Sequence, residues 1–106
     1  MSDPAIAAKV ALLAQAFLAK LPARLDQIDA AFALCRADMG NALQWQETYR
    51  LLHSLGGAAG TFGVAAVGLE ARRIELLIQR HLDAGDWQEA HLQQIAQALE
   101  GLRAMA

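Results

Sequence analysis

Apolar residues recur at spacings of three and four along most of the chain, the period of an α-helix that buries one face. A first helix is predicted after Asp3, an N-cap candidate that precedes Pro4 at the first helical position. Its apolar stripe consists of Ile6, Val10, Leu13, Phe17 and Leu21. Pro22 lacks a backbone donor and disfavours helical geometry at the preceding residue, so a break or kink is expected there.

The same periodicity predicts four further helices. The first of them follows Pro22 and ends near residue 39, and the other three cover about residues 42–63, 64–82 and 87–104. Gly40-Asn41 predicts a turn, and Asp86 is the expected N-cap of the last helix. Short turns between amphipathic helices favour antiparallel neighbours. We therefore predict an all-α fold: an antiparallel four-helix up-down bundle at about residues 22–104, with an additional N-terminal helix segment.

Composition narrows the class of protein. A chain of 106 residues is expected to form one domain, residues 1–106. A net charge of −2 gives no reason to expect nucleic acid as a partner. The sequence has no uninterrupted run of 18 apolar residues, so no membrane span is expected. Residues 1–4 lack the basic segment with which a secretory signal begins. The lone Cys35 cannot form an intramolecular disulfide, which suits a cytoplasmic location. We also expect the chain to be a monomer.

The segment around His53 is unusual for an amphipathic helix. In a helix, one face would carry Trp45, Thr48, Leu52, Leu55, Ala59 and Phe62. Another face would carry Gln46, Tyr49, Arg50, His53, Gly56, Gly57 and Gly60. The three glycines would cost about 3 kcal/mol relative to alanine, a sizeable share of a typical stability of about 5–15 kcal/mol. What they offer is a strip without side chains, where the backbone of another protein can approach the imidazole.

The chemistry of imidazole suits such an exposed position. In its neutral form it has a nitrogen lone pair that can attack an acyl phosphate and later return the phosphoryl group. Two other interpretations fit the same residues. The glycines can instead form a close packing groove between helices, with His53 an incidental surface residue, or the chain from Gly56 onward can be a loop. Spacing alone indicates an outward histidine beside a bare strip.

The residues from His53 onward resemble the histidine-phosphotransfer (Hpt) family. Its signature is a histidine, a spacer, an apolar residue, a lysine and a glycine, with small residues next and another glycine ten positions after the histidine. The matching positions are His53, Leu55, Gly57, Ala58, Ala59 and Gly63, followed by Val64, Val67, Ala71, Ile74 and Glu75. Gly60 occurs in some members, and the similarity spans about residues 6–82.

This resemblance implies a free-standing phosphoryl carrier without kinase activity of its own. Phosphate would pass to His53 from an aspartyl phosphate on one receiver domain and then move to another. The implied partners are response-regulator receiver domains or a hybrid histidine kinase; any Mg²⁺ would belong to the receiver, so this chain needs no cofactor. The docking surface is expected to comprise Tyr49, Arg50, Gly56, Gly57, Gly60, Arg72 and Glu75.

One position departs from the family pattern. Gly56 stands where the family usually has a lysine that helps to neutralise the phosphoryl group. We hypothesise that Arg50 or Arg72 supplies the missing positive charge. The alternatives are a non-catalytic adaptor bundle, which docks on a receiver or kinase without being phosphorylated, and a purely structural helical protein.

The other two histidines are assigned structural positions. His81 is expected to lie in the last turn of a helix, where a cation interacts favourably with the dipole. His91 is expected to be exposed on the last helix. The wide spacing of the histidines, with no cysteine or carboxylate cluster to complete a site, predicts no metal centre.

Overall fold

The computed structural model describes residues 3–106, so Met1 and Ser2, which enter the prediction about a secretory leader, lie outside the described residues. Residues 3–106 contain four helices and no strand: α1 (Pro4–Ala37), α2 (Ala42–Thr61), α3 (Ala65–Ala84) and α4 (Glu89–Arg103). Each helix packs against the next, and α4 also contacts α1, which closes the bundle. The predicted all-α fold is confirmed.

The first helix differs from the prediction at Pro22. Instead of breaking there, α1 runs without interruption for 34 residues, so the N-terminal segment and the first bundle helix are one element. A proline inside a helix costs about 3 kcal/mol or more, because its nitrogen cannot donate a hydrogen bond. Phe17 and Leu21 before the proline, and Leu25 and Ile28 after it, are all buried in the same core. We attribute the continuity to this packing on both sides.

The N-terminal end of α1 extends past the rest of the bundle. The predicted apolar stripe becomes buried only at Phe17, whereas Ile6, Val10 and Leu13 are exposed. By length and composition alone, α1 is also a helix that could cross a membrane, with a mean hydropathy of 1.5 over an 18-residue window. Its C-terminal half, however, supplies core side chains to the bundle.

Helix ends are set by local residues near their predicted positions. Asp3 accepts a hydrogen bond from the backbone nitrogen of Ala5 (2.8 Å), and Asn41 caps the start of α2. Gly85 ends α3 in the left-handed conformation, at a φ of 67° that favours glycine. The α4 prediction needs correction: its N-cap is Gln88, not Asp86.

The predicted inner face of α2 is confirmed. Trp45, Thr48, Leu52, Leu55 and Ala59 are buried, and Phe62 is half-buried. Together with Val67, Ala71, Ile74 and Ile78 of α3, these side chains form much of the core. Because α2 is fixed by this face, the orientation of its opposite face, which carries His53, is fixed as well. Cys35 is buried, as expected for a small core residue.

Candidate functional site

His53 lies in the middle of α2, on the side that faces α3. Its side chain is 65% exposed, and its Nδ1 atom lies 3.0 Å from Oε2 of Glu75. Because a carboxylate accepts hydrogen bonds, the neutral tautomer that fits this contact has its proton on Nδ1 and donates a hydrogen bond to Glu75. The neutral ring therefore has its lone pair at Nε2. An imidazole fixed at one nitrogen, with most of its surface in solvent, can act as a nucleophile through the other.

Glu75 joins His53 to a positive charge. The carboxylate is almost fully buried, with 2% of its side chain exposed, and its second oxygen accepts a hydrogen bond from Nη1 of Arg72 at 2.5 Å. Arg72 is exposed and lies one turn before Glu75 on α3. A buried carboxylate needs such partners, because an unpaired charge in the interior is costly. The chain His53–Glu75–Arg72 thus connects the exposed ring to a guanidinium at the surface.

A shallow cleft of about 240 Å³ lies beside the ring. It is lined by His53, Gly56, Gly57, Gly68, Arg72 and Glu75. Five of these six residues belong to the set predicted from the sequence; Gly68 of α3 is the addition. The structure therefore brings together His53 and most of its expected surroundings.

The glycines after His53 differ in their environments. A Cβ atom added to Gly57 or Gly60 would meet no described atom within 4 Å, so both positions are open. A Cβ on Gly56 would lie 3.6 Å from the carbonyl oxygen of Gly68, and one on Gly68 would lie 3.4 Å from that of Gly56. Gly56 and Gly68 therefore lie where α2 packs on α3, at distances at which an added Cβ atom would make ordinary van der Waals contact, while Gly57 and Gly60 form the bare strip. Since α2 continues to Thr61, the interpretation of this segment as a loop is wrong.

Two other predicted surface residues lie on different sides of His53. The Tyr49 ring is half-buried and nearly parallel to the imidazole, with centroids 6.0 Å apart. Arg50 is instead paired with Glu47, at 2.6 Å between Nη2 and Oε1. It lines a separate groove between α1 and α2, of about 630 Å³, that does not include His53. The hydrogen bonds from Arg50 lower the pKa of the Glu47 carboxyl. Of the two arginines, Arg72 is therefore the one at the cleft.

The burial of Glu75 was missed by sequence reasoning, which placed this residue on the rim of a docking surface. Its position directly after Ile74 and three residues before Ile78, both buried, was the available signal. A carboxylate that close to an apolar stripe is either at its edge or buried with partners. Spacing within α3 places Arg72 one turn away, but the other partner, His53, lies on a different helix 22 positions away and is not revealed by that spacing.

The argument that the histidines lie too far apart for a metal-ligand cluster also needs correction. The turn between α3 and α4 brings His81, Asp86 and His91 together, with one ligand atom from each within 4.8 Å of the others. His91 is half-buried rather than exposed, and Asp86 bonds to His81 instead of capping α4. The signal in the sequence was Gly85, a turn residue between His81 and His91, which in the structure adopts the left-handed conformation and reverses the chain.

The fold and the site define a small helical-bundle domain with an exposed histidine on its second helix. The family model of the Hpt domain matches residues 12–105, nearly the whole chain. The chain belongs to the Hpt domain family. Members of this family are phosphoryl carriers rather than kinases, and they exchange phosphate with receiver domains and kinases in two-component phosphorelays. No curated protein matches the chain significantly, and no solved structure does.

Proposed function

We propose that His53 accepts a phosphoryl group from an aspartyl phosphate on a receiver domain and returns it to the aspartate of another receiver. The observation that carries this proposal is the orientation of the ring: Nδ1 is held by a buried carboxylate while most of the imidazole is exposed beside the open glycine strip. In the forward step, the Nε2 lone pair attacks phosphorus. An N–P bond forms as the P–O bond breaks, and the receiver's aspartate leaves as a carboxylate.

Glu75 is proposed to position the ring and to stabilise the charge that develops on it. As Nε2 bonds to phosphorus, the imidazole becomes cationic, and its Nδ1–H then faces a carboxylate at 3.0 Å. A hydrogen bond between charged groups is stronger than one between neutral groups. Because Glu75 is fixed in the core by its burial and by Arg72, it requires little reorganisation during transfer.

Arg72 is proposed to replace the family's lysine. Its guanidinium lies at the same cleft as His53 and Gly57. An arginine can donate to phosphoryl oxygens while it also pairs with Glu75, because it has five N–H donors. Arg50 is directed to Glu47, and we therefore assign the electrostatic role to Arg72 alone.

Docking is proposed to occur over Gly57 and Gly60, with Tyr49 at one border. Both glycines lie on the exposed side of α2, C-terminal to His53. Their missing side chains allow the loops around a receiver's aspartate to approach the ring, and the separations required for in-line transfer are short. Gly56 lies at the contact between α2 and α3 beside the cleft rather than on the open strip.

The experiment is transfer from receiver domains of the source organism, each phosphorylated with acetyl phosphate. We expect at least one of them to give an acid-labile, alkali-stable label on the wild-type chain and none on His53→Gln. His91→Gln keeps the label and is the matched control, since it removes an imidazole elsewhere. Label that persists in His53→Gln contradicts the proposal. A receiver that binds the chain tightly but never labels it supports the adaptor alternative, which the glycine in place of the family's lysine favours.

A further inference from the structure

Two of the three histidines lie in a cluster at the turn between α3 and α4. His81 is in the last turn of α3, and its Nδ1 atom is 2.7 Å from Oδ1 of Asp86. His91, in the first turn of α4, packs its ring on that of His81 with centroids 3.8 Å apart. Gly85 makes this possible, because its left-handed conformation folds the chain back so that Asp86 reaches His81. Phosphotransfer at His53 uses none of these residues.

The cluster is held in place by the core. The His81 side chain is only 9% exposed, and its ring lies 5.0 Å from that of Trp87. Trp87 in turn stacks on the buried Trp45, with ring centroids 3.6 Å apart. Asp86 and His91 are more accessible, so they can adjust their side chains around a fixed His81. One anchored ligand with two more accessible ones suits a site that closes around an ion.

The ligand set and its spacing fit a transition metal. Two imidazoles and a carboxylate are ligands of Zn²⁺, which binds nitrogen and oxygen at about 2.0–2.2 Å in tetrahedral sites. Such bond lengths place ligand atoms about 3.3 Å apart, whereas those of His81, Asp86 and His91 lie within 4.8 Å of one another. Side-chain rotation on the turn and at the start of α4 can close the difference.

The charges also favour a cation. Two imidazoles in ring contact would repel each other if both were protonated, but they can share a divalent ion as neutral ligands. Asp86 contributes a carboxylate that keeps the set anionic. Two existing hydrogen bonds oppose binding: the one between His81 and Asp86, and the one from the Gln88 backbone N–H to Nδ1 of His91. A bound ion would replace both with metal–ligand bonds.

We propose that His81, Asp86 and His91 form a Zn²⁺ site that joins the end of α3 to the start of α4. The three side chains leave a fourth coordination position open to water. The expected consequence is on stability, because an ion that binds the folded chain and not the unfolded one stabilises the fold by mass action. The proposal does not depend on the function of His53.

The test is Zn²⁺ titration of the EDTA-treated full chain, in competition with a chromophoric chelator and with thermal unfolding in parallel. We expect one Zn²⁺ per chain and a higher Tm. His91→Gln and Asp86→Asn should each weaken binding about tenfold or more, since even partners of metal ligands contribute that much. Glutamine suits the third position of a helix, so His91→Gln keeps the start of α4 intact. His53→Gln is the matched control and should bind as wild type does.

A second measurement of the same site uses Co²⁺ as the probe. Both tryptophans of the chain, Trp45 and Trp87, lie at this end of the bundle. Quenching of their fluorescence should follow Co²⁺ binding in the wild type and in His53→Gln but require higher concentrations in His91→Gln and Asp86→Asn. The proposal is overturned if the EDTA-treated protein binds no Zn²⁺. It is equally overturned if all variants bind alike, or if only His53→Gln loses binding.

Discussion

His53 and His81 both pair with a carboxylate, but the buried member of the pair is the carboxylate in one case and the imidazole in the other. In each, Nδ1 is within hydrogen-bond distance of a carboxylate, at 3.0 Å for His53 and Glu75 and at 2.7 Å for His81 and Asp86. In the first pair the carboxylate is buried (2% exposed) and the ring is open (65%). In the second the ring is buried (9%) and the carboxylate is open (52%). Which partner belongs to the core decides what each histidine can do.

A buried carboxylate fixes an exposed ring without covering it. Glu75 holds one edge of the His53 imidazole and leaves the rest of the ring to a protein partner. A buried ring has the reverse properties, because His81 is covered by Trp87 and His91 and cannot reach the active site of another protein. In our proposals, the two sites are thus suited to different tasks: transfer at His53 and ion binding at His81.

The largest expected effect comes from filling the open strip beside His53. Gly57→Gln should reduce phosphotransfer from a receiver below detection, because its side chain would occupy the space proposed for the partner. The bundle should be unharmed, and helix propensity predicts a gain of up to about 1 kcal/mol in the free energy of unfolding. Gly101→Gln, on an open position of α4, is the control and should leave transfer unchanged. Normal transfer to Gly57→Gln would contradict the docking surface.

The next effect concerns the buried carboxylate. Glu75→Ala should slow labelling of His53 about tenfold to a hundredfold, because a hydrogen bond to a charged group contributes about 1.5–3 kcal/mol. Glu75→Gln can still accept from Nδ1, so it should recover part of the rate. Glu70→Gln, which removes a carboxylate paired with Arg73 on the same helix, is the control. Equal rates in Glu75→Ala and Glu75→Gln would show that Glu75 does not position the ring.

A smaller effect separates the two arginines. Arg72→Ala should slow labelling by about tenfold or less, since it removes one exposed charge near the phosphoryl group. Arg50→Ala should leave the rate as it is, because Arg50 is paired with Glu47 and lines another groove. Initial rates at equal receiver concentration measure both. Loss of rate in Arg50→Ala alone would reverse the assignment.

The smallest expected effect is a pH-dependent change in stability that comes from the pair of His81 and Asp86. The hydrogen bond from His81 lowers the pKa of the Asp86 carboxyl below its ordinary value of 3.8. A carboxyl whose pKa is lower in the folded state stabilises the fold at pH values above its ordinary pKa. This contribution is lost as the pH falls through the folded-state pKa. In EDTA, Asp86→Asn should therefore be slightly less stable than wild type at neutral pH, and the gap should close below pH 3.8. Urea unfolding at several pH values measures it.

Asp83→Asn is the matched control for this series, because it changes the net charge equally on a neighbouring turn. A gap between wild type and Asp86→Asn that widens in acid would mean that the pair with His81 does not stabilise the turn. Such a result would remove one side of the comparison between the two histidines.

Much of the fold could be predicted from periodicity. The stripes of α2 and α3 lie in the core as the spacing indicates, because a helix with one apolar face has few other ways to bury it. Of the break or kink expected at Pro22, the break was wrong, because local propensity was outweighed by packing on both sides. The exposed end of α1 was also unpredictable from its stripe, which does not say whether another helix is long enough to cover it.

The candidate site was predictable in its residues but less so in its contacts. Spacing on α2 placed His53 outward, and the family resemblance supplied Arg72 and Glu75. That Glu75 is buried, and that Gly56 packs on Gly68, depends on how α2 and α3 cross, which a single sequence does not specify. The histidine cluster was missed for the same reason, since a tight turn brings together residues ten positions apart.

The most direct test of the account is the site of phosphorylation itself. The chain, labelled with ¹⁵N-histidine and phosphorylated by a receiver, can be examined by long-range ¹H–¹⁵N NMR, which distinguishes the two ring nitrogens of each histidine. We predict one phosphohistidine, with phosphorus on Nε2 of His53, and unmodified rings at His81 and His91. Phosphorus on Nδ1 of His53, or on either histidine of the α3–α4 turn, would contradict the central claim that Glu75 holds one nitrogen and leaves the other to react.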